Sequence, residues 1–215
     1  MALLARFFCK RALFVLYYGM KDKNLFWIGV EGGISNGKTT FVKKMINFFL
    51  SKSDINVCGF YQPCLFKNNE RKQYLLDVID NDRKIHEFIL ANRIENRKVI
   101  CPYEFNQEAF EKAKIIAKNA KYIKNIEKPV IIFLDEIGYI ETQKGGHYDT
   151  LMSYVESFKE ARKIILVLTY TDIRKDCVEN LLKVILNAEK LDFNVNIKSN
   201  DINEFCENVY EFLTN

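Results

Sequence analysis

The stretch "GGISNGKTT", residues 32–40, fits G-x-x-x-x-G-K-[ST] without a gap, and no other segment restricts the possible folds as tightly. The pattern carries meaning when a buried strand precedes it and a helix follows. Residues 25–30 form a short apolar run, as a strand covered on both faces would. After Thr39, apolar residues recur at Phe41, Val42, Met45, Ile46, Phe48, Phe49 and Leu50, close to helical spacing. Glycines let the backbone curl so that successive N–H groups point inward, and a helix N-terminus adds the positive end of its dipole. Such a loop holds phosphate. Gly32, Gly33, Ile34, Ser35, Asn36, Gly37, Lys38, Thr39 and Thr40 are thus the expected nucleotide-binding residues. Lys38 would bridge the β- and γ-phosphates, and the Thr39 hydroxyl would ligate Mg²⁺.

A second constellation lies about a hundred residues on. Residues 130–134 are all apolar, and Asp135-Glu136 follows them. A buried strand ending in two acids delivers both to the carboxyl edge of a sheet, where open α/β folds bind ligands. Asp135 is expected to hold the Mg²⁺ shell, and Glu136 to accept a proton from attacking water. Lys38 and Glu136 are the expected catalytic pair. An acid pair that merely begins a loop is the bland alternative.

The rest of the chain alternates strand-like and helix-like runs: strands near 55–61, 130–134, 163–170 and 193–198, helices near 106–126, 147–160, 173–189 and 201–213. Runs at 73–79 and 84–90 flank Asp80-Asn81-Asp82 and read as a hairpin. The expected fold class is α/β, a mostly parallel sheet with helices on both faces and an antiparallel hairpin extension. Residues 20–215 would form one domain with an excursion at about 62–105.

Residues 1–19 stand apart, with Arg6, Lys10 and Arg11 and no acid. A targeting presequence, a short appended helix, or translated upstream sequence with Met20 as the working start all fit them. Their apolar stretch is too short to span a bilayer, so no membrane association is expected. They hold three of the 32 basic residues, which leaves 29 against 28 acidic ones. That balance gives no overall field for nucleic acid, which is therefore not expected as a partner. Protein partners leave no signal. The six cysteines show no C-x-x-C pair, and with two histidines in the chain a zinc site is not expected. Reduced thiols point to a cytoplasmic protein, with organellar targeting by residues 1–19 left open.

In order, "GGISNGKTT", "GFYQP", "YEFNQEAFEKA" and "FLDEIGYIE" make the chain resemble the nucleoside-triphosphatases of the thermophilic-enzyme, or cancer-related, type. The resemblance spans roughly residues 26–212. It implies a RecA-like P-loop fold and Mg²⁺-dependent hydrolysis of ATP, GTP and other nucleoside triphosphates to the diphosphate and phosphate. By the same match Lys38 and Thr39 take the phosphate and metal roles, Asp135 the metal shell and Glu136 the base. The chain departs from the pattern at Ser35, where the family often has glycine. It departs again at "LFKNNERKQ", where a Gly-Gly-Arg element is usual and Arg71 is the candidate substitute. A P-loop nucleoside or nucleotide kinase using Arg174 over the phosphates, or a nucleotide-dependent binding switch, are the competing readings.

Overall fold

Five residues fix the middle of the molecule. Val130–Leu134 (β7) is inaccessible to solvent along its whole length, so both faces of this strand carry a core. Its side chains alternate. Val130, Ile132 and Leu134 face one apolar cluster, and Ile131 and Phe133 face the other. At ~1.5–3 kcal/mol per buried large aliphatic or aromatic side chain, this strand alone offsets a large part of its own ordering cost.

The structure, a computed structural model, describes residues 24–68, 70–94, 102–193, 195, 197 and 202–215. The segment 1–19 and its competing readings lie outside them. The strands are Leu25–Glu31 (β1), Asn56–Tyr61 (β2), Cys64–Lys67 (β3), Glu70–Ile79 (β4), Ile85–Arg93 (β5), Tyr103–Phe105 (β6), β7, Ile164–Tyr170 (β8) and Glu189–Lys190 (β9). They form one sheet in the order β6-β5-β4-β2-β7-β8-β1-β9, with β3 also on β4. The part from β2 to β9 through β7, β8 and β1 is parallel. The pairs that involve β3, β4, β5 and β6 are antiparallel.

Helices cover both faces, and the one-turn helix Tyr139–Thr142 (α3) follows β7. Lys38–Leu50 (α1) and Ile202–Thr214 (α6) lie on the Ile131/Phe133 face. α1 buries Phe41, Val42, Met45, Ile46 and Phe49, the stripe read from the sequence. Gln107–Asn119 (α2), Tyr148–Ser157 (α4) and Lys175–Asn180 (α5) cover the other face. α2 presents Ala109, Ala113 and Ala117 at i, i+4 spacing, and such small residues let a helix backbone lie close to its neighbours. Two lysines of α2 form ion pairs: Lys112 pairs with Glu108 at 2.8 Å and Lys114 with Asp149 at 2.8 Å. Among the described residues, no helix is long and apolar enough to cross a membrane.

Three expectations are corrected and a fourth, the hairpin, is borne out and extended. The helix expected over 106–126 starts where predicted, with the Asn106 side chain accepting from the Glu108 N–H. It stops at Asn119, makes one 3₁₀ turn over Ala120–Tyr122, and Asn125 takes the left-handed φ of 59° that turns the chain toward Pro129. The strand expected at 193–198 is replaced by β9, two residues long. Phe193, Val195 and Ile197 are apolar because they pack on the α1/α6 face without joining a ladder; residues 194, 196 and 198 lie outside the description. The helix near 173–189 is broken into a 3₁₀ turn (Asp172–Arg174), α5 and π-type turns over Leu181–Ile185. Finally, the hairpin at 73–90 belongs to a longer antiparallel array, because β3 and β6 add strands on its flanks.

One side chain anchors that array to the parallel part. Arg83, at the β4–β5 turn, donates to the Leu50 carbonyl at the end of α1 (2.9 Å) and to the Ile55 carbonyl (2.6 Å), filling acceptors that a helix end leaves open. Gly59 lets β2 approach β7: its φ is 116°, and a Cβ there would run into the backbone of Phe133, its partner in the ladder. Gly59→Ala should therefore lower the unfolding free energy by at least ~3 kcal/mol, through strain and through separation of two core strands. Urea unfolding measures this, and a midpoint equal to the parent's would contradict the packing described.

Candidate active site

The three parallel strands β1, β7 and β8 end side by side, and each delivers residues to one spot. β1 runs into the loop 32–37, which turns into α1. Gly37 takes φ 86° ahead of Lys38, and Ser35 takes φ 64°. A non-glycine residue in this left-handed region costs roughly 1 kcal/mol. Lys38 is buried and its ammonium donates to the Gly32 and Gly33 carbonyls at 2.9 and 3.0 Å. Ile34 projects into solvent, 74% exposed.

Asp135 ends β7 with no solvent exposure. Its carboxylate accepts from the Thr39 hydroxyl (2.8 Å), from the Gln62 backbone N–H (2.9 Å) and from the Thr169 hydroxyl. The Gln62 side-chain amide also donates to the Asp135 carbonyl at 2.8 Å. Burial raises the Asp135 pKa, while the Thr169, Gln62 and Thr39 donors and the Lys38 charge oppose the rise. Glu136 follows in a left-handed conformation, φ 60°, with its N–H donated to Thr169 Oγ1 at 2.8 Å. Its carboxylate stands 3.9 Å from Lys38 Nζ. Desolvation and then the Asp135 charge raise the Glu136 pKa against the pull of Lys38, Arg174 and Arg71. The side chain keeps 42% of its surface, so solvent screening moderates that shift.

The expected residues thus meet in two pairs, Thr39 on Asp135 and Lys38 beside Glu136, at the loop made by Gly32, Gly33, Ile34, Ser35, Asn36 and Gly37; Thr40 follows on α1. Two positioning residues escaped sequence reading. Thr169 is the one small polar residue inside the apolar strand "IILVLTY", a signal that was visible. Gln62 marks itself only by following "GFY". Of the two arginines, Arg71 reaches the loop and donates to the Ser35 hydroxyl. Arg174 lies against Gly138, where a Cβ would come within 2.7 Å of its guanidinium, and its charge also acts on Glu136.

Among the described residues, no group of three or more His, Cys, Asp or Glu side chains is arranged to hold a metal. A cation here would take one hydroxyl, Thr39, with the Asp135 carboxylate behind it, and otherwise oxygens of a ligand and water. That sparse donor set suits Mg²⁺, which is commonly bound by one or two protein groups plus phosphates.

A protein-family model described as NTPase matches residues 27–202. The chain belongs to the NTPase family. It is accordingly a nucleoside-triphosphate hydrolase with nucleotides as substrates. The solution structure of a human cancer-related nucleoside triphosphatase is similar to this NTPase with a TM-score of 0.57 and 17% identity. That match covers 88% of this chain and 96% of the other, and it shows the shared P-loop α/β fold. A search of curated proteins gives no match.

The glutamate of "DEIGYIE" has a structural task in this NTPase. Glu141 is buried and accepts from the Gly138 N–H (2.8 Å) and the His147 N–H (3.0 Å), which pins the segment after Glu136. Tyr139, in contrast, is 57% exposed. His147, expected as a loop or helix-start residue, does precede α4. Its ring is sandwiched between Phe60 and Phe110, with centroids 4.1 and 4.7 Å away, and neither ring nitrogen finds a partner. Burial holds its pKa down to about 3. The folded state thus refuses a proton that the unfolded chain accepts near pH 6.5, so this contribution to stability is complete above pH 6.5 and is lost as pH falls. Between about pH 6 and 4 the NTPase should lose ~1.4 kcal/mol per pH unit through His147 alone. His147→Leu should flatten the slope by that amount in urea titrations at stepped pH, and parallel curves for the two proteins would contradict it.

Proposed function

We propose that the chain hydrolyses ATP, GTP and other nucleoside triphosphates to the diphosphate and phosphate in a Mg²⁺-dependent reaction, at the loop 32–40 and the Asp135-Glu136 pair. The observation that carries this reading is the convergence of Lys38, Thr39, Asp135 and Glu136: a cation, a hydroxyl held by a buried carboxylate, and a second carboxylate 3.9 Å from the cation. The loop amides and the N-terminus of α1 would hold the triphosphate. Lys38 would exchange its two loop carbonyls for β- and γ-phosphate oxygens, which gives it a charged partner in place of neutral ones. Mg²⁺ bound at Thr39 would supply charge neutralisation on those oxygens.

Glu136 would do the proton work. Among the described residues its carboxylate has no structural hydrogen-bond donors of the kind Asp135 has, and its raised pKa makes it a better base than an ordinary surface carboxylate. Asp135, buried and held by three donors, is suited to orienting and unsuited to cycling a proton. The division between the two neighbouring acids follows from their surroundings.

Glu136→Gln keeps size and removes the base. Nucleotide affinity should stay within a few fold of the parent, with the turnover number down by roughly 10²- to 10⁴-fold. Phosphate release under saturating nucleotide checks this, and a normal rate would show that water is activated elsewhere. Lys38→Ala should instead weaken nucleotide binding and turnover together. Hydrolysis at the parent rate would remove the loop from the reaction.

A further inference from the structure

One arginine, Arg71, touches the loop directly. β3 and β4 form an arm beside the loop, with Arg71 opposite Phe66 at the point where the register shifts. The guanidinium is held on several sides. One N–H donates to the Tyr74 hydroxyl at 3.0 Å, and another donates to the Ser35 hydroxyl in the middle of the loop. The Phe66 and Tyr74 rings lie 5.9 and 6.0 Å from its central carbon. Tyr74 is itself braced edge-on by Tyr103 at 4.9 Å. A long, rotamer-rich side chain is thereby held in one place before any ligand arrives, and such preorganisation makes a charge effective.

We propose that Arg71 is a catalytic residue supplied in cis: with nucleotide bound, its guanidinium leaves the Ser35 hydroxyl for oxygens of the transferring phosphoryl group. The proposal rests on the hydrolase reading above. Three features make the exchange favourable. Ser35 is exposed and offers a neutral acceptor, whereas phosphate offers charged oxygens in the paired geometry a guanidinium matches. Ser35 is also flanked by the loop's inward amides, so a ligand seated there meets Arg71 without movement of the β3–β4 arm. In addition, Glu136 lies within the electrostatic reach of Arg71 as well as of Lys38 and Arg174. In the reaction, the water oxygen bonds to the γ-phosphorus and its proton passes to Glu136. The bond from phosphorus to the β–γ bridging oxygen breaks, leaving its electron pair on the diphosphate. Arg71 would offset the negative charge that grows on the peripheral oxygens as this happens.

Full-length Arg71→Ala, Arg71→Lys and Tyr74→Phe proteins test this, with the turnover number, the Michaelis constant and the affinity for the diphosphate plus aluminium fluoride measured beside a non-hydrolysable triphosphate analogue. Arg71→Ala should lower turnover by roughly 10²- to 10³-fold. Its analogue affinity should stay within about threefold, while the aluminium fluoride complex is lost. Arg71→Lys should recover little, because an ammonium cannot take two oxygens in a plane. Tyr74→Phe should cost several fold in turnover only. Millimolar guanidinium should restore part of the Arg71→Ala rate, which a purely structural arginine would not permit. A hydrolysing parent matched by Arg71→Ala overturns the assignment and leaves the hydrolase reading standing. So does a loss confined to the Michaelis constant. A parent that releases no phosphate overturns both.

Discussion

A single buried carboxylate ties the site together. Asp135 receives hydrogen bonds from α1 through Thr39, from the end of β2 through Gln62 and from β8 through Thr169. Removing a carboxylate from water costs several kcal/mol, and hydrogen bonds to a charged group return roughly 1.5–3 kcal/mol each. Three such bonds come close to cancelling the penalty. The carboxylate is therefore a poor source of net stability and a strong constraint on position: if any one strand end shifts, a donor is lost and the charge is left exposed to its desolvation cost. The parallel sheet keeps these ends in register, with β2, β7 and β8 aligned residue by residue up to Phe60, Leu134 and Leu168.

Two site residues carry backbone strain. Ser35 and Glu136 both hold φ near 60° without being glycine, at a combined cost of about 2–3 kcal/mol. At Glu136 it is compensated locally. The Glu136 N–H has the Thr169 hydroxyl, which simultaneously donates to Asp135, and the segment beyond it is pinned by Glu141. Thr169 thus orients both acids at once, and its position late in an otherwise apolar strand follows from that double task.

The parts legible in the sequence were those with a period or a motif. β1, α1, β7 and β8 emerged from apolar runs long enough to admit one reading, and the loop between β1 and α1 from its glycines and Lys38. Pattern failed where packing, not pairing, dictates composition. Phe193, Val195 and Ile197 look like strand residues because one side of the chain is buried, and nothing in their order reveals that the ladder ends at Lys190. Cys64–Lys67 and Tyr103–Phe105 are short enough that pairing with neighbours, absent from local sequence, decides their conformation. Among the site residues, Lys38, Thr39, Asp135 and Glu136 stood in recognisable runs. Gln62 acts partly through its backbone N–H, which any residue other than proline carries, so its identity there could not be weighed from sequence.

The central claim is that the loop and the Asp135 node are a nucleotide site held in waiting by internal substitutes: Lys38 on loop carbonyls, Thr39 on Asp135. A crystal structure with Mg²⁺ and a non-hydrolysable triphosphate tests this most directly. The account predicts Lys38 Nζ transferred from the Gly32 and Gly33 carbonyls to the β- and γ-phosphates, the Thr39 hydroxyl turned onto the cation, and Asp135 still held by Gln62 and Thr169. A triphosphate bound elsewhere, or one bound in the loop with Lys38 still closed on its own carbonyls, would contradict it.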